Sequence, residues 1–271
     1  MTLEVLLSTM HQLNMDIVSS CNIKTDAVIV NQCNEDNYFF EQRGSQRIEW
    51  INSSERGLSK SRNRALLSSS ADICLLCDED VVYYDNYEEI ILKAFKELPQ
   101  ADVIIFDIDE VGTTDKREKA NVISKVPFYR TFGSVHIAFK RKSIVENNIK
   151  FDENFGAGSG MYSMAEDALL FRKFTINKLR VYRYPATISK VVFEESTWFE
   201  GFNERYFYDT GAYLMAAYPR MCHLLKWYYP IRLIGKSKLT IIKMIKSINL
   251  GIEGYKKRLS FFEMMEKNNA K

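Results

Sequence analysis

Short apolar runs rich in β-branched residues alternate with helix-patterned stretches over residues 1–110, and this alternation constrains the fold more than any other feature. Residues 3–8 (LEVLLS), 27–31 (AVIVN), 47–52 (RIEWIN), 71–77 (ADICLLC) and 102–108 (DVIIFDI) read as strands. Between them, 58–70 (LSKSRNRALLSSS) and 85–98 (DNYEEIILKAFKEL) read as helices. In the second, Ile90, Ile91, Ala94, Phe95 and Leu98 recur at helical spacing. Its acids Asp85, Glu88 and Glu89 come first and its lysines later, as the helix dipole favours, and Pro99 stands just beyond as a stop. The pattern predicts an α/β layer structure with a mainly parallel central sheet. A charged, aperiodic loop is expected over 111–127, a strand over 134–140, a helix over 165–176 and mostly helix beyond about 198.

Composition narrows the class. With 271 residues, 46% hydrophobic and 27% charged, the chain has the size of one large domain or a domain with an appendage. Disordered, collagenous and disulfide-framed chains are excluded. The net charge of +2 conceals an uneven distribution. Residues 1–219 carry 25 Lys and Arg against 32 Asp and Glu, or −7, whereas 220–271 carry 12 against 3, or +9. The expected division is therefore a domain over 1–219 and a basic helical extension over 220–271. No apolar run reaches 18 residues, so no membrane span is expected. The start, MTLEVLLSTMHQLN, lacks a basic segment and a long apolar stretch, so no signal peptide is read and a cytoplasmic location is expected. Five cysteines at irregular spacing suit reduced thiols. Cys74 and Cys77 form a C-x-x-C, but in a strand they point to opposite faces and cannot share a metal; both read as core. The glycines of 156–160 (GAGSG) make neither a nucleophile elbow nor a dinucleotide fingerprint, and no Walker loop is present. Serine hydrolases, P-loop enzymes and dinucleotide oxidoreductases lose support.

The sharpest local feature is Asp78-Glu79-Asp80, three carboxylates directly after an apolar strand. Open α/β sheets bind ligands outside the carboxyl ends of their strands. Crowded carboxylates repel unless a cation or proton joins them, and hard oxygen ligands suit Mg²⁺ or Mn²⁺. The competing reading is a solvated acidic turn. Some twenty residues earlier, GLSKSRN at 57–63 sets Lys60, Arg62 and Arg64 near a helix start, where they oppose the dipole. A docked anion would offset that cost; a basic exposed helix face is the alternative. The run ERGLSKSRNRALLSSSADICLLCDEDV resembles the nucleotide-sugar-binding core of family 2 glycosyltransferases, notably those of bacterial capsule and exopolysaccharide synthesis. The resemblance is most specific over 55–82 and extends in outline over about 1–220. It implies a GT-A (Rossmann-like) fold, a UDP-type nucleotide-sugar donor and a divalent ion, Mn²⁺ or Mg²⁺, held by the Asp-x-Asp. Carried onto this chain, Asp80 is the main metal ligand, Asp78 serves the metal and the nucleotide or its ribose, and Glu79 belongs to the donor site. Thr9 and Asn31 line the nucleoside pocket, and Lys60 and Arg62 lie on the donor side.

Transfer to a hydroxyl needs a base. The candidate is Asp167, with Glu166 as its runner-up, in FGAGSGMYSMAEDALLF, where a Gly-rich loop meets an acidic pair that opens an apolar helix. The same pair also suits a plain helix N-terminus. The resembled family often carries a histidine before a Ser-Thr pair in a metal-binding segment. Here Ser196-Thr197 has no such histidine, leaving Glu194, Glu195 or, less readily, His136 as substitutes.

In the extension, Ile241, Ile245, Ile248 and Ile252 fall on one helical face, with Lys236, Lys243, Lys246 and Lys257 roughly opposite. Such a helix lies on an anionic membrane or packs its isoleucines on the body. Gly251 and Gly254 weaken it. No base-stacking motif accompanies the charge, so nucleic acid is not an expected partner. The expected activity is inverting transfer of a sugar to a glycan or lipid-linked oligosaccharide at the inner membrane face. A non-catalytic glycosyltransferase-like scaffold and a sugar-phosphate nucleotidyltransferase are the alternatives, the latter lacking its N-terminal Gly-rich phosphate loop.

Overall fold

A computed structural model of the chain describes residues 1–112, 118–192 and 199–269. Its elements in order are β1 (Leu3–Met10), α1 (Asp16–Ser20), β2 (Asp26–Gln32), β3 (Asn37–Arg43), β4 (Gln46–Ser53), α2 (Leu58–Ser68), β5 (Ile73–Asp78), β6 (Val81–Tyr83), α3 (Tyr87–Glu97), β7 (Val103–Val111), β8 (Ser124–Lys125), a 3-10 turn (Ser134–His136), β9 (Ile137–Lys140), α4 (Arg141–Glu146), α5 (Glu166–Ile176), β10 (Val181–Val192), α6 (Glu204–Ala217), α7 (Cys222–Leu225), α8 (Tyr228–Arg232), α9 (Ile241–Lys257) and α10 (Phe261–Asn269). The chain packs into two compact units, 1–151 with 170–195, and 152–169 with 196–271. Position 219 marks a change of charge, and α6, just before it, packs on α9.

The first unit is a mixed sheet in the order β3-β4-β2-β1-β5-β9-β7-β10-β6, with β8 beside β10. Its central strands β4, β2, β1 and β5 are parallel, as the alternation predicts. Continuous apolar runs suit strands buried on both faces, and the two faces feed separate cores. Val5, Leu7, Ala27, Ile29, Leu75 and Cys77 lie in one, and Leu6, Val28, Val30, Cys74 and Leu76 in the other. Cys74 and Cys77 thus face opposite sides, and burial pushes the Cys74 thiol up to about 12. The segment 134–140 differs from expectation. Its first three residues form the 3-10 turn, and only Ile137–Lys140 enters the sheet, antiparallel between β5 and β7. Four strands escaped the pattern: the short β6 and β8, the latter inside the stretch expected as a loop, and the longer β3 and β10. β3 pairs with β4 through a turn at Gly44 (φ 62°), its Tyr38, Phe39 and Phe40 exposed at the sheet edge, so no burial pattern marks it. β10 carries Pro185 and shifts register against β7.

The second unit is helical in its C-terminal part. α6 and α9 cross at glycines: a Cβ on Gly211 would lie 2.1 Å from the Ile248 carbonyl oxygen, and one on Gly251 1.8 Å from that of Tyr208. The glycines that weaken α9 as an isolated helix are what let it approach α6. The expected isoleucine stripe is divided accordingly. Ile248 and Ile252 are buried with Phe207 and Leu214, whereas Ile241 is exposed.

Candidate functional site

Register brings a row of polar residues to the carboxyl edge of the parallel strands. Asn52 stands opposite Asn31, Asn31 opposite Thr9, and Ser8 opposite Asp78. Ser8, Thr9, Asn31 and Asn52 are buried polar side chains, as are Gln32 and Ser53 at the same strand ends. Buried polar groups must find partners, and these do. Asn31 Oδ1 accepts from the Gln12 backbone N–H at 2.9 Å, and its Nδ2 donates to Gln12 O and to Asn52 Oδ1, each at 2.9 Å. Asn31 therefore fixes the loop after β1.

The helix start GLSKSRN is built into this edge residue by residue. Gly57, at φ 126°, donates its N–H to Gln32 Oε1 at 2.8 Å. Ser61 Oγ donates to Ser8 Oγ at 2.9 Å. Asn63 clamps the Phe151 backbone, accepting from its N–H at 2.8 Å and donating to its carbonyl at 3.1 Å. Arg62, buried, sends Nη2 to both oxygens of Asp78 at 2.9 and 3.0 Å and to Ser134 Oγ at 2.5 Å, its guanidinium over the Phe151 ring. Lys60 is half-buried and 3.8 Å from Glu55. The cation that opposes the α2 dipole is thus matched by Asp78. Ser134, which also approaches Asp78 Oδ2 at 3.4 Å, is a site residue that sequence reasoning missed, because nothing local links it to a strand 56 residues away.

The three carboxylates separate in role. Glu79 Oε2 accepts from Thr9 Oγ1 at 2.6 Å and from the Met10 N–H at 3.2 Å, tying the turn after β5 to the end of β1. Asp80 is exposed, and its carboxyl is held above the ordinary range first by partial desolvation, then by the charges of Asp78 and Glu79. Negative charge concentrated at this turn favours a cation there. Among the described residues no group of three His, Cys, Asp or Glu forms a metal cluster. The donor set fits a divalent ion that takes one or two protein carboxylates and completes its shell with phosphate oxygens and water. His136 is buried, with Nδ1 2.7 Å from the Phe106 carbonyl oxygen. Glu194, Glu195 and Ser196-Thr197 lie outside the described residues.

In the second unit, Glu166 and Asp167 occupy the first turn of α5 and are half-buried. The loop before them is held tightly. Gly156 (φ 102°) accommodates Glu166, whose side chain would lie 3.2 Å from a Cβ there, and Ala165 adopts φ 80°, a strained value for a residue with a side chain. Asp209, fully buried in α6, accepts at Oδ2 from the Ser163 N–H (2.9 Å) and Oγ (2.6 Å). Among the described residues its Oδ1 has no hydrogen-bond partner, and burial raises its pKa. Asp209 also escaped the sequence reading, although a lone acid inside the apolar run YFYDTGAYL was a readable signal.

The sequence profile described as Glycosyl transferase family 2 matches residues 3–162. No curated protein matches the sequence. Among solved structures, S. aureus TarS 1-349 in complex with UDP-GlcNAc is similar at TM-score 0.60 and 12% identity over 96% of this chain and 93% of that one. TarS 1-349 in complex with UDP is similar at TM-score 0.62 and 14% identity with the same coverage. At such identity the likeness is one of fold.

Proposed function

Because this chain belongs to glycosyl transferase family 2, we propose that it moves a sugar from a UDP-sugar to a hydroxyl of a lipid-linked glycan acceptor, inverting the anomeric carbon, at an anionic membrane surface met through residues 220–271. The observation that carries the donor reading is the polar row at the carboxyl edge of β1, β2, β4 and β5, with Asp78 gripped by buried Arg62 and Asp80 left open to solvent. The UDP-GlcNAc and UDP complexes of TarS support a uridine nucleotide.

In this reading Thr9 and Asn31 shape the nucleoside pocket, Asn31 by holding the Gln12 backbone. Asp78, oriented by Arg62, faces the nucleotide or its ribose. Glu79 sets the turn, and Lys60 lies on the diphosphate side. Asp80, with Asp78 as second candidate, would hold Mn²⁺ or Mg²⁺, which neutralises charge on the leaving diphosphate when bound. Asp167 takes the acceptor proton, and Glu166 is its runner-up or an acceptor contact. A cell-surface polysaccharide such as a capsule is the expected product class. Thermal shift with UDP, with and without Mn²⁺, tests the donor site. Wild type is stabilised by UDP plus Mn²⁺, and Asp80→Asn loses most of the metal-dependent part. No shift with any nucleoside diphosphate would favour a non-catalytic scaffold.

A further inference from the structure

We propose that the face built by α7, α8 and the start of α9 is the surface that binds an anionic lipid bilayer. This inference rests on the lipid-linked-acceptor reading and moves the contact away from the α9 isoleucine stripe, whose Ile248 and Ile252 are buried among the residues of α6. Residues 210–252 contain no Asp or Glu, yet they hold Arg220, Lys226, Arg232, Lys236, Lys238, Lys243 and Lys246. All seven are exposed except half-buried Lys226. Interleaved with them are large exposed apolar side chains: Leu224 (70%), Trp227 (50%), Tyr228 (54%), Ile231 (65%), Ile234 (57%) and Ile242 (80%).

The short helices anchor this face from behind. Cys222, Pro230 and Leu233 point inward, which turns their neighbours outward. Lys226 Nζ donates to Asn249 Oδ1 at 3.0 Å, tying the end of α7 to α9. Two cations lie over aromatic rings, Lys226 over Trp227 and Arg232 over Tyr228. Apolar groups set among lysines and arginines, with Trp and Tyr between them, match a headgroup interface: acyl chains take the isoleucines, aromatics sit at headgroup level, and cations meet lipid phosphates. Charge complementarity selects the occupant. A second copy would oppose one predominantly basic face, in which Glu253 shares the α9 groove with Ile242 and Lys246, with another, whereas anionic lipid supplies both the charge and the apolar phase.

Flotation of the full chain with vesicles of phosphatidylcholine, or of phosphatidylcholine with phosphatidylglycerol, tests the proposal. Wild type is expected to float with the anionic vesicles only, and to release at high salt. The double variant Ile231→Glu/Ile242→Glu is expected to lose binding roughly ten-fold or more, as is Lys236→Glu/Lys238→Glu, each keeping the wild-type melting temperature. Flotation of these variants at the wild-type level, or wild type that floats with neither vesicle, would overturn it. So would a dimer in light scattering that Ile231→Glu dissolves, which would assign the face to a second copy. UDP release from UDP-sugar in solution, read on the same proteins, separates the two readings. Its absence in wild type counts against transfer alone, whereas lost flotation with release intact in wild type counts against the membrane face alone.

Discussion

Asp78 and Asp80 stand two positions apart and meet opposite surroundings. Asp78 is held by a buried arginine, while Asp80 is exposed with its carboxyl raised by partial desolvation and by two neighbouring carboxylates. This asymmetry separates an orienting acid from one open to a cation. For Asp167, the expected result of Asp167→Asn is donor binding near the wild-type level with transfer reduced about 10²–10⁴-fold; unchanged turnover would remove it as base. Asp209 makes a prediction with a definite sign. Its folded pKa is raised by burial, so the folded chain binds this proton more tightly than the unfolded one. The stability it contributes is full below the ordinary Asp value of about 3.9 and is lost as pH rises through the raised value. Asp209→Asn can keep an acceptor for Ser163 without that loss. Its stability relative to wild type should therefore climb from pH 4 upward in denaturant titrations, and a difference that stays flat or falls would contradict the raised pKa. At this scale the sequence was legible where chemistry is local. The adjacent carboxylates and the GLSKSRN helix start announce themselves, whereas Ser134 and Asp209 matter through partners 56 and 46 residues away.

Helices and strands were legible in proportion to how strongly burial imprints a period on them. α3 shows its apolar face at helical spacing, and β2 and β5 carry uninterrupted apolar runs, 27–30 and 73–77. β3 is an exposed edge strand with no buried face to imprint one. The α9 glycines show how an element's own propensity misleads when packing decides. Gly251→Ala adds helix propensity worth about 1 kcal/mol, but it places a methyl group 1.8 Å from a backbone oxygen of α6. Backbone cannot swing aside as a side chain can, so the variant should be less stable by about 1–3 kcal/mol net. A variant as stable as wild type in urea unfolding would show that the two helices do not cross this closely.

Across the whole molecule, one charge sum of +2 covers two regimes. The parallel-sheet unit gathers carboxylates at its strand ends, and the C-terminal helices carry a stretch of 43 residues, 210–252, without an acid. The fold class could be read from the strand–helix alternation because a parallel sheet needs both faces covered and so writes itself as apolar runs. The packing division of the chain could not, because residues 152–169 join 196–271 through contacts that no sequence neighbour records. We propose that this glycosyltransferase uses a UDP-sugar. The measurement that meets it most directly is UDP release across a panel of nucleotide-sugars, with and without Mn²⁺ or Mg²⁺, for wild type and Asp80→Asn. The predicted result is release from a UDP-sugar by wild type, enhanced by metal and strongly reduced in Asp80→Asn. Release confined to a non-uridine donor, or from none of the panel, would contradict it.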